Sequence, residues 1–248
     1  MQERGLAAYI AEFVGTLLLV FFITAAVSIY VAAPTRLNPN PFIDFTVIGL
    51  VHLFALFVLI QTLAVVSGAH LNPAVTTAMT LLRQIKPSDA GVYVVMQLLG
   101  GIAGAFLTKA LLLDAGRPDN YGAPAVTDVI NESTLGGMVI EGLGAFFLLW
   151  AIIGVAVNPR ATKEWAALAI GGALGVAVLA FAPATGGSFN PARAIGPALA
   201  SGEWNGFGKF LLIYVLGPLI GAAVAVLLYL RILSEPGAKG VGGAEPVG

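Results

Sequence analysis

The tripeptide Asn-Pro-Ala occurs twice, at Asn72-Pro73-Ala74 and Asn190-Pro191-Ala192, each time after a glycine-containing run. Ser67-Gly68-Ala69-His70-Leu71 leads into the first copy and Thr185-Gly186-Gly187-Ser188-Phe189 into the second, which Arg193 follows. Two copies with matching flanks point to one site assembled from two halves. A short apolar run trails each copy, over 75–82 and 194–200, and neither is long enough to cross a bilayer. Proline suits a first helical turn because its missing N–H would be unbonded there anyway. The runs therefore read as half-helices begun by Pro73 and Pro191.

Composition says where such loops must lie. Hydrophobic residues make up 58% of the chain and charged residues 10%, which places it among membrane proteins. Apolar stretches fall at 6–32, 45–66, 91–113, 135–157, 165–182 and 207–230, each close to the roughly 20 residues a spanning helix needs. The first is too long for the apolar core of a cleaved signal and is read as retained. A net charge of -1 without a basic cluster argues against nucleic acid as a partner. The absence of cysteine excludes disulfides, thiolate metal sites and cysteine catalysis.

Six spans put both termini on one face. Arg4, Arg83, Lys86, Arg160, Lys163, Arg231 and Lys239 fall on that face, against Arg36 and Arg117 in the opposite loops and Lys109 and Lys209 near the opposite helix ends. Cytoplasmic loops carry the Lys and Arg excess, so the termini are predicted cytoplasmic. The first Asn-Pro-Ala loop then enters from inside and the second from outside. The starts of the halves also correspond, Ala11-Glu12-Phe13-Val14-Gly15-Thr16 being echoed by Ile140-Glu141-Gly142-Leu143-Gly144-Ala145. With three spans in each half, the second copy is inverted. Such repeats place broken helices at the midplane with their N-termini toward the permeating species. Irregular backbone at that depth is tolerated where it lines a wet cavity, so the paired loops imply a pore.

Asn72 and Asn190 suit helix capping, and a capping Asn can still offer its NH2 group to a lumen. Glu12 and Glu141 are ionisable groups inside spans, a costly placement. A proton relay and an anchor for the loops' backbone N–H groups are the two readings, and a symmetrical pair without further titrating partners favours the anchor. His70 has no second ligand at metal-binding spacing, so no metal is expected.

These residues together resemble an aquaporin, of the major intrinsic protein family. The likeness covers about residues 6–231 and includes Gly100-Gly101 and Gly187-Ser188-Phe189-Asn190-Pro191-Ala192-Arg193. It implies an all-α membrane fold of six transmembrane helices plus two re-entrant half-helices, assembled as a homotetramer with one pore per protomer. It also implies that carbonyls of Gly68, Ala69 and His70 on one side, and Gly186, Gly187 and Ser188 on the other, line the lumen. Matched by distance from the two motifs, the family's filter positions are His52, Val178, Gly187 and Arg193. His in the second span, an aliphatic residue in the fifth and a small loop residue are most similar to tonoplast-type aquaporins. His52 lies about 12 Å below the outer end of its span, within reach of the level of Arg193.

The function expected is passive passage of water with exclusion of protons and ions, ammonia or hydrogen peroxide being companions. A broader glycerol or urea facilitator is the alternative, and an ion-coupled secondary transporter is a reading from another class. No nucleophile, base and orienting acid are grouped, so no enzyme and no cofactor are expected. One channel domain is expected over 1–233, with inverted repeats at about 6–113 and 135–231. The Gly-rich tail 234–248 reads as disordered. The lipid bilayer and small neutral solutes are the partners, and short loops fit a plasma membrane. Gly100-xxx-Gly104, Gly171-xxx-Gly175 and Gly217-xxx-Gly221 mark close helix contacts.

Overall fold

The computed structural model describes residues 5–31 and 44–233. Arg4, Ala32, Arg36, Lys239 and the tail 234–248, all used in the sequence reading, lie outside the described residues. The spans are α1 (Leu6–Tyr30), α2 (Phe45–Ser67), α4 (Pro87–Leu111), α6 (Thr134–Ile152), α7 (Ala166–Thr185) and a composite last span. That last span runs through α9 (Phe207–Phe210), a wider π-type segment Leu211–Leu216 and α10 (Gly217–Leu228), with a second π-type segment Tyr229–Leu233. A similar segment, Ile153–Val157, extends α6. The half-helices are α3 (Pro73–Leu81) and α8 (Pro191–Ser201), and a short α5 (Leu113–Gly116) opens the connector between α4 and α6, which lies at the end of the bundle opposite the start of α1 and is called outer in that sense. All six long elements are apolar enough to cross a membrane.

The helix ends depart from the apolar runs for local reasons. Helix α4 starts at Pro87, where an N-terminal proline has no N–H to leave unbonded. Helix α7 extends past Ala182 and through Pro183, because Thr127 of the outer connector bonds its frayed end. The Thr127 amide donates to the Ala184 carbonyl at 3.0 Å and its hydroxyl to the Pro183 carbonyl at 2.7 Å.

Small residues set the packing. In α4, a Cβ on Gly100 or Gly104 would run into the carbonyl oxygens of Phe13 and Leu17 on α1. In α7, a Cβ on Gly171 or Gly175 would meet Leu53 of α2. In α10, Gly217 and Gly221 face the carbonyls of Met138 and Gly142 on α6. Each spaced glycine pair named from sequence thus lies at a helix crossing. Gly101 and Gly196 bring α4 and α8 equally close, since a Cβ on either would meet backbone of the other helix. Lipid supplies no hydrophobic drive between helices, so backbone approach of this kind holds the bundle together.

Gly221→Val puts a branched side chain where the Gly142 carbonyl stands, and overpacking of a tight core costs about 1–3 kcal/mol or more. The unfolding midpoint in detergent is expected to drop clearly. Gly208→Ala, at a position with open space around it, is expected to leave that midpoint unchanged or slightly raised. Equal midpoints for the two variants would contradict this packing account.

Candidate pore and its outer constriction

Helices α2 and α7 both end at a left-handed glycine, Gly68 at φ 88° and Gly186 at φ 77°. The loops that follow stay irregular: Ala69 and Leu71 have φ of 48° and 51°, and Gly187 and Phe189 have φ of 56° and 52°. A left-handed conformation costs a residue with a Cβ roughly 1–2 kcal/mol, so each loop needs a counterweight.

The counterweight is a buried carboxylate. Glu12 Oε1 accepts from the His70 amide at 2.9 Å and from Ser67 Oγ at 2.6 Å, and its Oε2 accepts from the Leu71 amide at 2.8 Å. Glu141 repeats this, Oε1 accepting from the Ser188 amide at 3.0 Å and Thr185 Oγ1 at 2.7 Å, Oε2 from the Phe189 amide at 2.6 Å. Hydrogen bonds to charged groups contribute about 1.5–3 kcal/mol each, enough to hold the strained turns. The glycine three residues after each glutamate completes the fit. A Cβ on Gly15 would collide with Leu71 and one on Gly144 with the Phe189 ring. One helical face thus grips the loop backbone and makes room for the side chain just before the asparagine.

Two tyrosines share this work, a role that was not read from the sequence. Tyr93 Oη donates to the Ser67 carbonyl and Tyr214 Oη to the Thr185 carbonyl, both at 2.8 Å. Their equivalent placement on the third span of each half was the available signal. Gln97 breaks the symmetry: its Nε2 donates to Glu12 Oε2 at 2.7 Å and to Thr76 Oγ1 at 2.9 Å. His70 Nδ1 lies 3.1 Å from the same Thr76 hydroxyl.

Asn72 and Asn190 each do two things. Asn72 Oδ1 caps α3 by accepting from the Ala74 amide at 2.8 Å, and Asn190 Oδ1 caps α8 by accepting from Ala192 at 3.0 Å. Asn72 Nδ2 then donates to the Phe189 carbonyl at 3.0 Å, and Asn190 Nδ2 to the Leu71 carbonyl at 2.9 Å. The two loops are therefore tied crosswise through their amides. Each amide carries two N–H groups, so one on each remains after this bond.

A cavity of about 790 Å³ runs along these groups. It extends from Gln84 and Lys163 on the face of the termini, past Gly68, Ala69, His70 and Asn72, to Ser188, Asn190, His52 and Arg193. Pro73, Ala74, Pro191 and Ala192 are buried behind the lining, and Glu12 and Glu141 lie behind it too. Gly186, Gly187 and Val178 are not on the wall of this cavity; Val178 is fully buried in the core cluster.

Arg193 is 2% exposed and its Nη1 donates to the Gly122 carbonyl at 2.8 Å, while its Nε has no partner among the described residues. His52 Nδ1 lies 2.8 Å from the Ile48 carbonyl, an acceptor only, so Nδ1 carries the proton. The neutral ring then has Nε2, without a partner among the described residues, as its acceptor. Both side chains line one end of the cavity, although these two atoms are themselves inaccessible to solvent. Nothing in the sequence pointed to Gly122, because its partner is distant in the chain.

The outer connector holds Gly122 in place. Asn120, Tyr121 and Gly122 have successive φ values of 55°, 54° and 73°, two of them at residues with a Cβ. Tyr121 Oη donates to the Leu113 carbonyl at 3.2 Å. Lys109 Nζ donates to the Ala200 carbonyl at the C-terminal end of α8 at 2.6 Å and lies 5.5 Å from the Tyr121 ring. A cation there also complements the helix dipole.

A cavity lined by α1, α2, α6, α7 and the two opposed half-helices, inside a bundle of six membrane helices, defines a passive membrane channel built on an inverted repeat. Residues 2–229 match the Major intrinsic protein family. Aquaporin AqpM of Methanothermobacter marburgensis is 35% identical over 245 residues, covering 91% of this chain and 97% of that protein. Nodulin-26 of Glycine max is 36% identical over 222 residues, covering 89% and 75%. Aquaporin TIP2-1 of Arabidopsis thaliana is 35% identical over 230 residues, covering 91% and 86%. The X-ray structure of the aquaglyceroporin from Plasmodium falciparum superposes with a TM-score of 0.78 at 23% identity, covering 92% of this chain and 96% of that one, and shows the shared fold. The chain belongs to the major intrinsic protein family, whose aquaporin members are channels: it is an integral membrane protein that passes water or small solutes, and not an enzyme.

Glu141→Ala removes the acceptor for Ser188, Phe189 and Thr185 together. Each orphaned buried donor costs about 1–3 kcal/mol, so thermal unfolding in detergent is expected to show a loss of at least ~3 kcal/mol. Glu141→Gln keeps one acceptor oxygen and is expected to lose less. Wild-type stability in Glu141→Ala would show that the carboxylate does not hold the loop.

Proposed function

We propose that the protein is a water channel that excludes protons and ions, conducts ammonia or hydrogen peroxide as companions, and works as a homotetramer with one pore per protomer. The observation that carries this reading is the meeting of two capped half-helix N-termini on the lining of one continuous cavity. Each N-terminus presents roughly half a positive charge, which repels cations and hydronium where little hydration compensates. The remaining N–H of Asn72 and of Asn190 binds the oxygen of a passing water and turns its hydrogens outward. That orientation interrupts a hydrogen-bonded chain along which a proton would hop.

At the outer end, the Arg193 cation and the His52 acceptor select for solutes that both accept and donate hydrogen bonds. Carbonyls of Gly68, Ala69 and His70 on one side, and of Ser188 on the other, serve as stepwise acceptors. The channel unit comprises residues 1–233, resides in the plasma membrane and has cytoplasmic termini. The excess of Lys and Arg on the face of Arg83, Lys86, Arg160 and Lys163 supports that orientation.

Reconstitution in liposomes with stopped-flow light scattering tests the solute range. Fast shrinkage in sucrose, no re-swelling with glycerol or urea, ammonia-driven alkalinisation and no proton leak above empty liposomes are expected. Rapid glycerol re-swelling would move the protein to the broader facilitator reading. Water flux no faster than empty liposomes would overturn the channel reading altogether. Light scattering of the detergent-solubilised protein is expected to give a mass of four chains, and a monomer mass would remove the tetramer.

A further inference from the structure

The outer connector contains a group that the passage of water does not use. Asp119 directly precedes the left-handed run Asn120-Tyr121-Gly122, and both of its carboxylate oxygens are inaccessible to solvent and without a hydrogen-bond partner among the described residues. The run ends in the carbonyl that receives Arg193 Nη1. A carboxyl is therefore packed, unpartnered, at the base of the turn that holds the guanidinium.

The turn packs against α1, α4, α5 and α8. At the ends of these elements nearest the turn, the charged and titratable groups are Tyr30 of α1, Lys109 of α4, Asp114 of α5 and Arg193 of α8, with Arg117 and Tyr121 in the turn itself; Tyr9 and Glu12 of α1 and Asp89 and Tyr93 of α4 lie toward the opposite ends. None of them hydrogen-bonds to the Asp119 carboxylate. Lys109 is held by the Ala200 carbonyl and Arg193 by the Gly122 carbonyl. An ionised Asp119 in this position has lost its water and gained no partner, whereas a neutral carboxyl loses far less on burial.

We propose that Asp119 is a positioning residue: its protonated form keeps the outer connector closed over Arg193, and its ionisation releases the connector, so that acidity outside the membrane controls passage through the filter. This rests on the reading of Arg193 as the filter cation. Ionisation draws the carboxylate toward water and unwinds the strained turn that precedes Gly122. Arg193 then loses its carbonyl partner, and the freed guanidinium swings into the lumen and obstructs it.

Burial raises the Asp119 pKa from 3.8 to about 7, and the neighbouring backbone N–H groups of Asp119 and Tyr121, which do not reach hydrogen-bonding geometry with the carboxylate, lower it only in part. A carboxyl whose value is higher in the closed connector than in the open one stabilises the closed form fully below the ordinary value. That stabilisation declines as pH rises from about 4 and is gone above about 7. The conducting state is thus the acid one.

The test is water permeability of proteoliposomes buffered alike on both sides, from pH 4 to 8.5, for the wild type, Asp119→Asn and Asp119→Ala. Wild-type permeability is expected to fall at least twofold toward alkaline pH. Asp119→Asn, neutral and of the same shape, is expected to stay at the acid value throughout. In parallel, amide exchange over residues 117–123 of the wild type in nanodiscs, corrected for intrinsic rates, is expected to speed up over the same pH range, and in Asp119→Asn to stay flat. High wild-type flux that does not change with pH would sink the role of Asp119 while leaving the channel intact. The same pH response in both Asp119 variants as in wild type would do so too. An absence of water flux at every pH would overturn the channel reading and this proposal with it.

Discussion

Two buried carboxylates carry the rest of this structure. Without Glu12 and Glu141, four left-handed loop residues and four exposed loop amides would sit in a membrane interior that offers no water to bond them. Each glutamate turns that liability into a rigid loop by accepting two consecutive backbone N–H groups and a neighbouring hydroxyl. The consequence is directional: once His70 and Leu71, or Ser188 and Phe189, have their amides pinned toward the helix behind, the loop carbonyls are free to face the other way. The negative charge also stands close to two helix N-termini, which a carboxylate stabilises.

The halves are then locked to each other by the asparagines. Each amide oxygen caps its own half-helix and each amide nitrogen bonds the opposite loop, so neither loop can shift without breaking a bond in both. Glycine makes that meeting sterically feasible. Gly101 lets α8 approach α4 at backbone distance, and the Gly142–Gly221 contact does the same for α6 and α10. Packing at this range leaves two discrete options, seated or displaced, and little in between.

The outer end departs from the two-fold pattern. On the terminus side, Gln97, Thr76 and His70 add a polar layer behind the first loop. On the outer side, a long connector crosses the mouth, bonds the end of α7 through Thr127 and presents the Gly122 carbonyl to Arg193. The constriction is therefore made by segments from three parts of the chain, and its geometry depends on a turn whose backbone is itself strained.

Much of this could be read from residue order. Six apolar runs, the duplicated Asn-Pro-Ala and the echo of Glu12 to Gly15 in Glu141 to Gly144 gave the spans, the inverted repeat and the half-helices, because bilayer thickness and unsatisfied backbone groups leave a membrane chain few alternatives. The glutamates were legible as anchors, since a charge in a span needs a partner. The partners themselves were not: Tyr93, Gln97, Tyr214 and the crosswise asparagine bonds join residues far apart in the chain, and no periodicity encodes them. Nor could residue order say that Arg193 would bond Gly122, or that Asp119 would be packed without a partner, because the connector's path depends on how α1, α4 and α8 come together. The sequence by itself determined a membrane channel of two inverted halves, through hydrophobic length and the chemistry of the repeated motif. Only the tertiary structure decided which donor meets which acceptor at the constriction, because those distances are set by helix packing rather than by neighbours along the chain.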